Sequence, residues 1–274
     1  MFRRLLSPQL TKKAKKPIEY IEGQHSKRLQ NVVLFLSIIT TVCTVVFAAK
    51  VLPYKFDLKR SKRELVELHE LTEQRRSSFG ADMQQINSDY VGMIIIEGTN
   101  IGYHVVRGND NEKYLSTTFF GDRNALGSIF MDYRCTGEYV PHLLIYGHNC
   151  YDDDGNWHMF GGLLEFRDEE YLAAHPTILY MENDHVSEFR IFSARETDIN
   201  DPAYYLDFNT PGLFAAFAER NGAPADAERI ITLSTCIGAN NERRMIVQGV
   251  LRSVHPVELE YDENGLHMTM QKTA

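Results

Sequence analysis

The chain has 274 residues, 43% hydrophobic and 24% charged, a globular composition with enough apolar material for one core. Its net charge of −8 is unevenly spread: residues 1–28 hold eight Lys/Arg against Glu19 and Glu22, a surplus of six, which leaves the remainder at −14. So acidic a body argues against nucleic acid as the main partner, because phosphate binding needs positive surface.

Residues 31–49, NVVLFLSIITTVCTVVFAA, carry no charge. Nineteen helical residues at about 1.5 Å each span roughly the 30 Å hydrocarbon core of a bilayer. The stretch is apolar all round, which does not suit a surface helix. It is longer than the usual apolar region of a signal peptide, and Phe47-Ala48-Ala49 is a poor small-x-small cleavage site. An uncleaved transmembrane anchor is therefore expected over 31–49, preceded by a basic cytoplasmic tail over 1–30. Six Lys/Arg within 50–63 reduce the charge asymmetry, so charge only leans toward a cytoplasmic N-terminus, with the acidic body outside.

A juxtamembrane helical segment is expected over 50–80. Within it, Ser61 and Glu64 have capping-box spacing, and Leu58, Leu65, Leu68 and Leu71 form an apolar stripe for a helix over 54–79 that packs on the following domain. From Tyr90 the texture changes to β-branched runs broken by Gly, Asn and Asp. Strands are expected at 90–96, 102–107, 127–133, 142–148, 177–182, 186–196, 229–236 and 243–253, with short helices at 110–116, 158–173 and 211–221. Pro211 and Gly222 bracket the last of these helices. Eight strands predict a closed or nearly closed β-barrel, a mainly β fold with short helices, filling a domain over 81–274. A weak hairpin is expected around Glu263-Asn264-Gly265.

Cys43 lies in the anchor, which leaves Cys135, Cys150 and Cys236. Three is odd, so at least one thiol has no intramolecular partner; Cys135 and Cys150 are a possible pair. Asp152, Asp153, Asp154 and Asn156 offer oxygens for Ca²⁺, but their spacing does not fit an EF-hand and a solvated acidic turn is the simpler expectation. No metal and no cofactor is expected.

The chemistry is expected in ITLSTCIGANNERRMIVQGVL, 231–251. Cysteine is usually an inert core residue. Cys236, however, ends a strand whose face also carries Ile230, Thr232 and Ser234, beside a polar link, where a side chain can meet substrate. A nucleophilic thiol needs a base or cation nearby. His148, in LLIYGHN, ends another apolar strand, follows Gly147, which permits close approach, and precedes Asn149, which can orient a ring. Arg243 or Arg244 begins the next strand and can hold an oxyanion. Alternation allows only one of the two to face Cys236.

TLSTC followed by RMIV resembles the active-site strand pair of sortases, and Leu-Ser before Thr-Cys resembles class B. VGMIIIEGTNIGYHVVRGNDNEKYL (91–115), GSIFMDYR (127–134), LLIYGHN (143–149), MFGGLLEF (159–166) and AAHPTI (173–178) are similar to class B segments in the same order. The resemblance covers roughly residues 54–254. It implies a cysteine transpeptidase on an eight-stranded sortase-type barrel, held by its anchor at the outer face of a Gram-positive-type membrane. It implies catalytic roles for His148, Cys236 and Arg244, the last because it directly precedes Met-Ile-Val. Ser234, Thr235 and Asn149 are expected at the substrate site. The implied partners are surface proteins with a C-terminal sorting motif, cleaved after Thr, and an amine from a peptidoglycan precursor or a pilin Lys. An L,D-transpeptidase-like reading lacks its Ser-x-Gly-Cys motif, and papain-like or NlpC/P60-like peptidases usually place Cys before His. A non-catalytic, membrane-anchored interaction module on the same barrel is the alternative of another class.

Overall fold

The computed structural model describes residues 9–74, 79–137, 139–152, 154–182, 185–238, 242–262 and 265–270, with side chains described over 27–72 and 82–256 of these. Two compact units are present, Met1–Tyr54 and Lys55–Ala274. In the first, the described residues are helical. They belong to α1 (Gln9–Gln74), which continues into the second unit. Among the described residues α1 is the one helix long and apolar enough, by length and composition, to cross a membrane. The uncharged run 31–49 lies within it.

The second unit holds α2 (Phe79–Ile86) and β1 (Tyr90–Ile95), β2 (Gly102–Val106), β3 (Ile129–Met131), β4 (His142–Tyr146), β5 (Asn149–Tyr151) and β6 (Trp157–Met159). It continues with α3 (Glu169–Ala174), β7 (Thr177–Glu182), β8 (His185–Asp198), α4 (Leu213–Arg220), β9 (Ile230–Cys236), β10 (Arg243–Asp262) and β11 (Gly265–Met270). Short 3₁₀ turns cover Lys113–Leu115, Phe160–Arg167 and Pro202–Tyr204. The strands follow the order β10-β8-β7-β1-β2-β3-β4-β9, and β9 pairs back onto β10. The expected eight-stranded barrel is therefore closed, which removes its free edges. The pairs β2–β3 and β4–β9 are parallel; the other barrel pairs are antiparallel.

Alternation fills the barrel. Leu143, Ile145, Ile231, Leu233, Met245 and Val247 all belong to the main buried cluster. A second cluster, with Leu68, Met83, Met93, Val106 and Phe119, is roofed by the end of α1 and by α2. On the outside of β9, α4 buries Phe217 against Ile230. Fully burying one such Leu or Phe side chain is worth about 1.5–3 kcal/mol.

Several local expectations are corrected, while the apolar stripe holds. Ser61 does not cap a helix start, because α1 runs through it. Instead its hydroxyl bonds His158 Nε2 at 3.0 Å, and Glu64 accepts from the Phe119 backbone N–H at 2.7 Å. Tertiary partners have taken the side chains that sequence assigned to local capping. The predicted apolar stripe is turned inward, with Leu58 and Leu68 buried and Leu65 and Leu71 packed on the clusters. The acidic segment 152–156 joins β5 and β6 as the turn of a β-hairpin, and residues 158–159 belong to β6 instead of to a helix. The strand predicted at 127–133 shrinks to β3, while β10 continues nine residues past the predicted end at 253 and pairs with β11 around the expected hairpin.

Candidate active site

Three neighbouring strand ends build the site. Strand β9 lies between β4 and β10. On one side Arg244 is the direct partner of Cys236. On the other, Tyr146 pairs with Ser234 in parallel register, and Gly147 donates its N–H to the Ser234 carbonyl at 3.2 Å. Paired residues on neighbouring strands project to the same side, which sets Arg244 beside Cys236. His148 follows two residues after the end of β4 and reaches the same cavity. A cavity of about 280 Å³ is lined by all three together with Ser234 and Thr235.

Local chemistry fixes each member. A Cβ on Gly147 would collide with Ile129 and Phe160, so a residue without a side chain is required where the chain turns into His148. His148 Nε2 lies 2.9 Å from the Leu115 carbonyl. A carbonyl only accepts, so Nε2 carries a proton and Nδ1 is left as the exchanging nitrogen. Thr235 donates its hydroxyl to the Gly147 carbonyl at 2.8 Å, and Asn149 Nδ2 donates to the Cys236 carbonyl at 2.9 Å. Both bonds tie the 147–149 segment to the end of β9. Asn149 thus sits beside the site, not in the cavity wall, and its Oδ1 is buried without a hydrogen-bond partner.

The two arginines diverge. Arg244 is half-buried and lines the cavity; Arg243 shares the opposite face with Met245 and pairs with Glu196, which also holds Arg167 at 2.8 Å.

The remaining cavity wall, Asn111, Leu115, Phe130 and Tyr146, escaped the sequence reading. For Tyr146 the signal was available, since it ends the strand two residues before His148. Tyr204 also escaped it. Its hydroxyl shares a 2.8 Å hydrogen bond with Ser234 Oγ, and its ring stacks parallel to Tyr146 at 6.5 Å. Burial raises the Tyr204 pKa, keeping the phenol neutral. It is held there by a loop in which Asp201 caps Ala203 and binds Arg195 with both oxygens.

Cys135 and Cys150 are buried free thiols, bonded to the carbonyls of His142 and His158. Burial pushes them up to about 11 and about 12, far from a reactive state. The Asp152 carboxylate is taken by Lys62 at 2.5 Å and by the N–H groups of Asp154 and Asn156. Asp153 lies outside the described residues, and among the described ones no acidic, His or Cys cluster could hold a metal ion.

No family model matches the chain. Over 184 residues it is 34% identical to Sortase B of Listeria monocytogenes, covering 62% of this chain and 72% of that protein. The chain belongs to the sortase B family. It is also 26% identical over 240 residues to Sortase B of Staphylococcus aureus, covering 80% of this chain and 96% of the relative. The solved sortase B of B. anthracis superposes with a TM-score of 0.59 at 27% identity, over 72% of this chain and 99% of that one. As a member of this family the protein is a cysteine transpeptidase on a sortase barrel.

Proposed function

We propose that this sortase cleaves a C-terminal sorting motif after Thr, using Cys236, His148 and Arg244, and joins the new carboxyl end to an amine of the cell wall. The Cys236 thiolate attacks the Thr carbonyl carbon, forming a C–S bond as the carbonyl pair moves onto oxygen. Arg244 holds the oxyanion with its fixed positive charge. Collapse breaks the C–N bond, and the leaving amine takes a proton from His148. The acceptor amine then attacks the thioester, gives a proton to His148 and releases the thiolate. The observation that supports this reading is the cavity that His148, Cys236 and Arg244 line together, with Arg244 the direct strand partner of Cys236.

The partners are surface proteins with motifs of the Asn-Pro-x-Thr-x or Pro-x-Thr-Gly-like kind. Structures of the S. aureus relative with a substrate and of a sortase B with triglycine support a peptide donor and an amino-terminal acceptor. Residues 31–49 would cross the membrane, with the tail 1–30 cytoplasmic and the catalytic domain of 81–274, led by the segment 50–80, outside. Ser234 and Thr235 line the peptide path, and Asn149 secures the carbonyl of Cys236.

The test is intact-mass analysis of the full chain incubated with a sorting peptide. A thioester adduct on wild type, absent in Cys236→Ala, is expected. An adduct that persists in Cys236→Ala ends this mechanism, and a wild-type thiol silent toward a sorting-peptide vinyl sulfone favours a non-catalytic module.

A further inference from the structure

Asp132 directly follows β3, and its side chain has no exposed surface. It is absent from the cavity wall, yet two residues of that wall bond to it. Its Oδ1 accepts from the backbone N–H of Arg134 at 3.0 Å and from Arg134 Nε at 2.8 Å. Its Oδ2 accepts from Arg134 Nη2 at 2.8 Å, Asn111 Nδ2 at 2.9 Å and the Tyr146 hydroxyl at 2.9 Å. A carboxylate only accepts, so this one group fixes the amide orientation of Asn111 and the hydroxyl rotor of Tyr146.

Arg134 alone could satisfy the carboxylate nearer to solvent, since its own guanidinium is half-exposed. Burial pushes the Asp132 carboxyl up, but Arg134, Asn111 and Tyr146 outweigh it and hold the group below the usual carboxylate range. A buried, acceptor-only charge with donors from two different segments is a rigid anchor for both. Asn111 is pinned at its other end as well, its Oδ1 accepting from the Tyr133 N–H at 3.0 Å. The Tyr146 ring is held between Phe130 at 5.3 Å and Tyr204 at 6.5 Å.

We propose that Asp132 is a positioning residue for substrate recognition: it presets Asn111 and Tyr146 so that the wall beside Cys236 is formed before an extended peptide arrives. This rests on the proposed role of that cavity as the sorting-peptide site. Preorganised walls reduce the ordering cost of binding, so the effect belongs on KM.

The experiment compares the full chain in detergent micelles with Asp132→Asn, whose isosteric amide withdraws an acceptor from the cluster. The substrate is an internally quenched Asn-Pro-x-Thr-x peptide, and alkylation of Cys236 by iodoacetamide is followed by mass spectrometry. The expected result is a KM raised about tenfold, kcat within about threefold, and an alkylation rate within about twofold of wild type. Tyr146→Phe removes only the hydroxyl that Asp132 holds and should raise KM in the same sense. The double variant should fall short of the product of the single effects. An unchanged KM in Asp132→Asn, a loss confined to kcat, or fully multiplicative effects would overturn the proposal. If Asp132→Asn does not fold, a wild-type KM in Tyr146→Phe overturns it equally. Cleavage surviving in Cys236→Ala would instead sink the site assignment, a separate result because it involves no change at Asp132.

Discussion

His158 provides a sharp test of how α1 is held to the barrel. It is buried on β6, with Ser61 on its Nε2, the edge of Tyr103 against its ring, and the Lys62–Asp152 pair beside it. Burial, and then the Lys62 charge, push its pKa down to about 4. In the unfolded chain a histidine titrates near 6.5, so between about pH 4 and 6.5 the unfolded state binds more protons. Stability therefore falls as pH falls through that window. At pH 5 the difference costs the folded state about 2 kcal/mol, against about 0.2 kcal/mol at pH 7. His142, also brought down to about 4 by burial, adds a similar slope, and His104, at about 3, acts in the same direction. Glu64, raised by burial, works the opposite way but is common to both proteins compared. The assay is urea unfolding of the full chain in micelles at pH 7 and pH 5, followed by the fluorescence of Trp157, the one tryptophan in the chain. His158→Gln should lose about 2 kcal/mol less than wild type between the two pH values. Equal losses in the two proteins would refute a neutral, buried His158 under α1.

Arg244→Ala should lower kcat by about 10²–10³, as removal of an oxyanion donor does, while Arg243→Ala stays within about threefold. Steady-state peptide cleavage decides this, and the reverse ranking would place the register one residue away. Gly147→Ala should destabilise by about 1–3 kcal/mol, because its methyl meets Ile129 and Phe160, and should also lower turnover by displacing His148. A melting curve matching wild type would show that the turn has room to spare. Treatment with dithiothreitol should leave the melting temperature unchanged and non-reducing mass analysis should find Cys135 and Cys150 free; a mass two units low would reveal a bond between them.

Where one residue's own strand decided the matter, the sequence sufficed. Period-two alternation put Cys236 with Ser234 and Thr232, and it made Arg243 and Arg244 mutually exclusive. Both are properties of a single extended segment, independent of what lies beside it. The apolar run 31–49 was equally legible, since span length and absence of charge are local facts. LLIYGHN announced an apolar strand leading to a histidine, although β4 stops at Tyr146, two residues before His148.

What the sequence could not decide is who sits next to whom. Closure of β9 onto both β4 and β10, one pairing parallel and one antiparallel, sets Arg244 against Cys236 and brings the end of β4, which leads into His148, to the other side of β9. Alternation carries no information about that order. Ser61 and Glu64 have the spacing of a cap, but burial against the barrel offered them His158 and Phe119, and a tertiary hydrogen bond in a dry site outweighs a local one near water. Asn111 and Leu115 reach the cavity from a loop, and Tyr204 backs its wall through Ser234; each is tied to a partner distant in the chain, Asp132, His148 and Ser234. Composition and spacing thus marked the long apolar helix, most of the strands and the candidate residues Cys236, His148 and the Arg243–Arg244 pair. Only the closed barrel decided the pocket around them, because a cavity wall is made of residues whose sole relation is their distance in space.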